Sequence, residues 1–129
     1  MLSVLIFFHR FGGRPHKTMS YVLQEMQEAL PNVPAFFSLG NNDSYSGDYA
    51  LVDDGEFLHT TADLFFEHCI KQEPLRADFY ETYPVHGYYS LRHPLVDNGR
   101  IIGLNSIFFS RNYASTESKQ PGEVELDWL

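Results

Sequence analysis

Leu2 to Phe8 is an unbroken apolar run, closed by His9-Arg10 and then by Gly12-Gly13-Arg14-Pro15. An apolar stretch this short, with no polar alternation, predicts a strand covered on both faces, and the Gly and Pro residues mark the loop beyond it. From Lys17 to Leu30 the pattern changes, with Met19, Val22, Leu23, Met26, Ala29 and Leu30 recurring at intervals of three and four. That spacing predicts an amphipathic helix, which Pro31 stops. A second apolar run, Pro34 to Leu39, breaks sharply at Gly40-Asn41-Asn42-Asp43 and reads as a second buried strand with a polar loop at its end. Strand, helix, strand is a βαβ unit with its two strands parallel.

A loop rich in Ser, Tyr, Gly and Asp runs to about Gly55, after which Leu58, Thr61, Phe65, Cys69 and Ile70 mark the buried side of a second helix that ends before Pro74. Leu75 to Tyr83 predicts a third, shorter helix. Gly87 to Leu91 and Arg100 to Asn105 predict two strands, joined through the turn Asp97-Asn98-Gly99 into an antiparallel hairpin. The segment from Ser106 to Gln120 is polar and irregular, and Gly122 to Leu129 has the spacing of the first turns of a helix. Because that helix is still apolar at Trp128-Leu129, the fold is expected to continue past it. The expected architecture is α/β: residues 1–129 form a single domain, part of a larger mixed sheet with flanking helices.

At 129 residues and 43% hydrophobic, the chain is long enough to bury one core. Eleven Phe and eight Tyr set it apart from disordered sequences. A net charge of -8 argues against nucleic acid as a partner, because phosphate-backbone binding relies on Lys and Arg. It leaves room for a phosphate ester, since a metal ion can supply positive charge locally. Cys69 is the only cysteine, so an intrachain disulfide is impossible and a buried thiol is expected. The opening apolar run lacks a basic leader and a small-residue cleavage site, so neither a signal peptide nor a membrane span is expected, which makes the cytoplasm the default compartment.

The chemistry centres on Phe36-Phe37-Ser38-Leu39-Gly40-Asn41-Asn42-Asp43, a buried strand that delivers Gly and three compact polar side chains at its carboxyl end. Ligands in α/β sheets bind outside the carboxyl ends of parallel strands. On residue chemistry alone the segment reads either as a plain turn or as a ligand-facing loop. Gly40-Asn41-Asn42-Asp43 resembles the Gly-Asn-His-Asp/Glu motif of calcineurin-like metallophosphoesterases, in a form with Asn third. Val33-Pro34, Tyr45 and Gly47-Asp48-Tyr49 around it resemble the acid sphingomyelinase-like branch. Further along, Arg100 to Ser106 with Asn112-Tyr113, and then Leu126-Asp127-Trp128-Leu129, are similar to that branch's later strand, loop and helix, in the same order.

The resemblance implies a metallophosphoesterase sandwich of two sheets with helices outside, holding two divalent metals (Zn, Mn or Fe) whose bridging hydroxide hydrolyses phosphomonoesters or phosphodiesters. It implies Asn41 as a metal ligand, with Gly40 and Asp43 shaping the loop around it. Asn42 stands where the family has a catalytic His; it can hydrogen-bond a phosphate oxygen but cannot act as a general acid. His9-Arg10-Phe11 resembles the end of another family segment, giving His9 a catalytic role and placing the bridging Asp at Leu5, which cannot bind metal. The remaining ligand motifs would fall before residue 1 and after residue 129. The chain is thus expected to be an incomplete phosphoesterase, binding no metal by itself, whose full-length form acts on a small phosphoester or a lipid headgroup. A non-catalytic binding or structural domain of the same scaffold is the alternative, and self-association through exposed apolar surface is expected under either.

The other histidines offer no replacement ligand set. His59 and His68, nine residues apart on one helix, point in opposite directions. His16 sits at a helix start, and His86 and His93 are expected on opposite faces of an extended chain. Tyr45, Tyr49 and Tyr113 are candidates either to line a cleft or to pack in the interior.

Overall fold

The computed structural model describes residues 2–5, 15–46, 48–113 and 120–129. Its first part is the βαβ unit. Strand β1 (Leu2–Leu5) and strand β2 (Ala35–Ser38) lie parallel, Leu2 facing Ala35 and Leu5 facing Ser38, with helix α1 (Pro15–Ala29) between them in sequence. The predicted continuation of β1 through Phe8 lies outside the described residues. Met19 and Leu23 are fully buried and Met26 is half-buried, whereas Val22 and Ala29 face outward, so the apolar stripe of α1 is narrower than its sequence suggests. No basic residue occupies the last turn of α1. Its end is held instead by the Lys71 ammonium, which donates to Leu30 O at 2.9 Å and Val33 O at 3.4 Å, a cation placed at the negative end of the helix.

Helix α2 (Glu56–Phe65) carries the buried residues Phe57, Leu58, Thr61, Ala62 and Phe65. It then widens into a π-helical turn, Phe66–Ile70, that the sequence pattern does not announce. The extra residue per turn buries Phe66, Cys69 and Ile70 together, and Lys71, at φ 63°, ends the turn with its N–H bonded to Phe66 O at 2.8 Å. The single helix expected from Leu75 to Tyr83 is instead a 3₁₀ turn (Glu73–Leu75), α3 (Arg76–Tyr80) and a separate helical turn α4 (Tyr83–His86). Pro84 fits the first turn of α4, where a missing N–H costs nothing, and the chain changes direction at Glu81-Thr82 so that Thr82 Oγ1 can donate to Tyr88 O at 2.7 Å. Gly87, at φ 75°, closes α4; a side chain there would press on Leu39 and Asn105.

Strands β3 (Tyr89–Arg92) and β4 (Arg100–Gly103) pair antiparallel, with Tyr89 opposite Gly103. A 3₁₀ turn (Ser106–Phe109) follows, and α5 (Pro121–Trp128) completes the described chain. The fold is mixed α/β. Phe37 of β2 sits at its centre, stacked on Phe65 at 4.2 Å and within 6.3 Å of Phe79, Tyr83 and Tyr89, so one aromatic cluster ties the βαβ unit to α2, α3, α4 and the hairpin. A polar contact reinforces it: the Phe37 N–H donates to the Tyr89 hydroxyl at 2.8 Å, and that hydroxyl donates to Phe37 O at 2.6 Å.

Candidate functional site

Gly40 to Asp43 forms a loop directly after β2, at its carboxyl end. What shapes it is a buried carboxylate. Asp43 is 1% exposed, and its Oδ2 accepts the Gly40 N–H at 2.6 Å, while the Asp43 N–H returns to Gly40 O at 2.9 Å. Both ends of the motif are thereby locked to each other, a ring closed through one short side chain. The next residues fold back on this ring: Tyr49 N–H reaches Asn41 O at 2.6 Å, and Asp48 N–H reaches Asn42 Oδ1 at 3.2 Å. Asp48 and Tyr49 take φ values of 45° and 62°, unusual for residues with a Cβ, to make these contacts.

Asn41 and Asn42 remain partly exposed at the top of this ring. Asn42 spends its carboxamide oxygen on the Asp48 N–H, which leaves its NH₂ group as the donor it can offer a ligand. The Asn41 main chain is tied into the loop by Tyr49. Leu5 pairs with Ser38, so the end of β1 lies beside the strand end that carries this loop. His9, to which the resemblance gives a catalytic role, lies outside the described residues.

Three of the remaining histidines, His59, His68 and His86, are engaged elsewhere. His59 Nε2 lies 2.7 Å from Asp54 Oδ1 on the surface, and His68 Nδ1 lies 2.5 Å from Gln27 Oε1, joining the π turn to α1. His86 corrects the sequence reading: it belongs to α4 rather than to an extended segment, because Thr82 starts a helical turn whose carbonyl takes the His86 N–H at 2.9 Å. Of the tyrosines proposed for a cleft, Tyr45 packs edge-on against Phe57 and bonds Thr60, Tyr113 packs on Phe108, and Tyr49 lies half-buried against the core. Packing accounts for all three.

A second polar cluster, which the motif reading missed, lies where α4, β4 and α5 meet. His86 Nδ1 lies 2.8 Å from Asp53 Oδ1, and its ring stacks on Tyr88 at 5.0 Å. The Asn105 carboxamide donates to His86 O at 2.9 Å, and the Asn105 N–H donates to Glu125 Oε1 at 2.8 Å. Asn105 and Glu125 are 0% and 1% exposed. Burial raises the Glu125 carboxyl to about 7, against the opposing pull of the Asn105 N–H and the His86 charge. Burial, with the Asp53 and Glu125 charges, pushes the Tyr88 hydroxyl up to about 12. Pro121, Gly122 and Glu125 share the buried face of α5, a face that only the packing of the neighbouring elements defines.

Among the described residues, no group of three or more His, Cys, Asp or Glu is placed to hold a metal ion, and no helix is long and apolar enough to cross a membrane. The donor set at the loop does not fit a two-metal centre: Asn41 offers one neutral oxygen, and the Asp43 carboxylate is turned onto Gly40. No family model, no curated protein and no solved structure matches the chain.

Proposed function

We propose that this chain contributes the Asn41 loop to a metal-dependent phosphoester hydrolase of the calcineurin-like type and does not hydrolyse phosphoesters by itself. The observation that carries the reading is the Asp43-to-Gly40 clamp at the carboxyl end of a parallel strand. A buried carboxylate that fixes the loop leaves Asn41 to present a ligand oxygen and Asn42 to present an NH₂ group to a phosphate oxygen, from one rigid ring. The pairing of Leu5 with Ser38 supports the same alignment, because the position the resemblance gives to a bridging carboxylate lies beside this loop.

Assay decides it. The 129-residue chain is incubated with Mn²⁺, Zn²⁺ or Fe²⁺ and a chromogenic phosphodiester, beside a longer chain encoded by the flanking reading frame. Turnover by the longer chain alone, lost in its Asn41→Ala variant, is the expected result. Turnover by the 129-residue chain, or a flanking frame lacking an upstream Asp-x-His or a downstream Gly-His-x-His, overturns the reading.

Leu5 favours a second reading, a non-catalytic domain that kept the scaffold and binds rather than cleaves. It predicts an inactive longer chain that still binds a phosphoester.

A further inference from the structure

Two buried acceptors in the cluster between β4 and α5 have no hydrogen-bond partner among the described residues: the Asn105 carboxamide oxygen and Glu125 Oε2. They belong to residues already joined by the Asn105 N–H to Glu125 Oε1 bond. Turning the Asn105 amide over does not help, because its NH₂ group is committed to His86 O and a reversed amide would set oxygen against oxygen. The missing element is therefore a donor. A buried acceptor without one keeps the cost of leaving water and gains nothing in return, and here there are two.

A neutral carboxyl group has the matching shape, since it accepts through one oxygen and donates through the other, while Asn105 offers a backbone donor and a side-chain acceptor. We propose that Glu125 and Asn105 form a one-proton clasp: a neutral Glu125 carboxyl accepts the Asn105 N–H through Oε1 and donates Oε2–H to the Asn105 carboxamide oxygen, docking α5 while the proton is bound and loosening it when the proton leaves. Ionised Glu125 would be a charge almost sealed from water, with a carboxamide oxygen on the residue it is bonded to. The groups around it are His86 from α4, Tyr88 before β3 and Asp53 from the loop before α2, with Glu123 and Asp127 on α5 itself. Of these, the His86 charge opposes the proton and the burial of the site favours it.

The chain carries its own reporter, because Trp128 is its only tryptophan and its ring lies 4.5 Å from Tyr88 across the α5 contact. Trp128 emission is followed in the whole chain from about pH 5 to about pH 9, with far-ultraviolet circular dichroism as the control for global folding. A red shift with a midpoint near 7 is expected while the overall helix content holds. Glu125→Gln keeps both an acceptor and a donor in the same places, so it should stay docked across the range and show no transition. His86→Gln should keep the transition and move its midpoint upward, because a charge opposing the proton is gone. An emission unchanged with pH in the wild type, a transition that survives in Glu125→Gln, one that disappears in His86→Gln, or one that follows the cation rather than the pH of the buffer overturns the clasp.

Discussion

Asp43 and Glu125 are both acidic residues at 1% exposure, and their surroundings give them different tasks. Asp43 accepts the Gly40 N–H three residues away and shapes its own loop. Asp43→Ala leaves that N–H without its carboxylate and should cost about 1–3 kcal/mol in urea unfolding, with Asp43→Asn retaining part of the stability. Glu125 acts between elements and makes stability depend on pH. Its folded value is raised from 4.5 to about 7, so the folded chain holds a proton that the unfolded chain releases across that window. Stability therefore falls as pH rises through the window and levels off above it, by on the order of 3 kcal/mol. Glu125→Gln should remove this slope and unfold at higher urea than the wild type near pH 8. The loop was legible in the sequence because Gly40 and three polar residues follow an apolar run. Glu125 was not, because a charged residue in a short helix reads as solvated until the faces packed on it are known.

Individual elements kept the order that the apolar periodicity gave them, and differed where a contact distant in sequence took control. The π turn at Phe66–Ile70 exists because Phe66, Cys69 and Ile70 all reach the core, a demand that regular helical spacing does not signal. The hairpin shows a similar dependence. A Cβ built at Gly103 would lie 2.5 Å from Cε1 and Cζ of Tyr89, its partner across the ladder, so the Tyr89 ring lies over the bare glycine backbone. Gly103→Ala should destabilise by about 1–3 kcal/mol through overpacking. Tyr89→Phe keeps the ring but removes the hydroxyl that serves both Phe37 backbone groups, and thermal melting should show a loss of similar size. Because the two sites touch, the double variant should depart from the sum of the single ones.

For the whole molecule, the parallel pairing of β1 with β2 and the mixed α/β class follow from strand, helix and strand in succession. How the hairpin joins that unit is not written in any periodicity, since it depends on side chains such as Phe37, Phe79, Tyr83 and Tyr89 meeting from four separate segments. Cys69 tests the integrity of this interior. Burial pushes its thiol up to about 12, with Lys71 opposing the shift only weakly, so the native thiol is both covered and protonated. Alkylation by iodoacetamide should be negligible under native conditions and should rise along the same denaturant curve as unfolding; fast labelling of the native chain would show that the π turn opens by itself. The Tyr89 hydroxyl has a kinetic consequence as well. It stands where a neighbouring strand would otherwise bond to β2, so the Phe37 amide can trade its hydrogen for solvent deuterium only when the hairpin lifts away. The exchange lifetime of that one amide is thus a clock for separation of the two halves of the protein, and in Tyr89→Phe it should run faster than at the β2 amides bonded to β1.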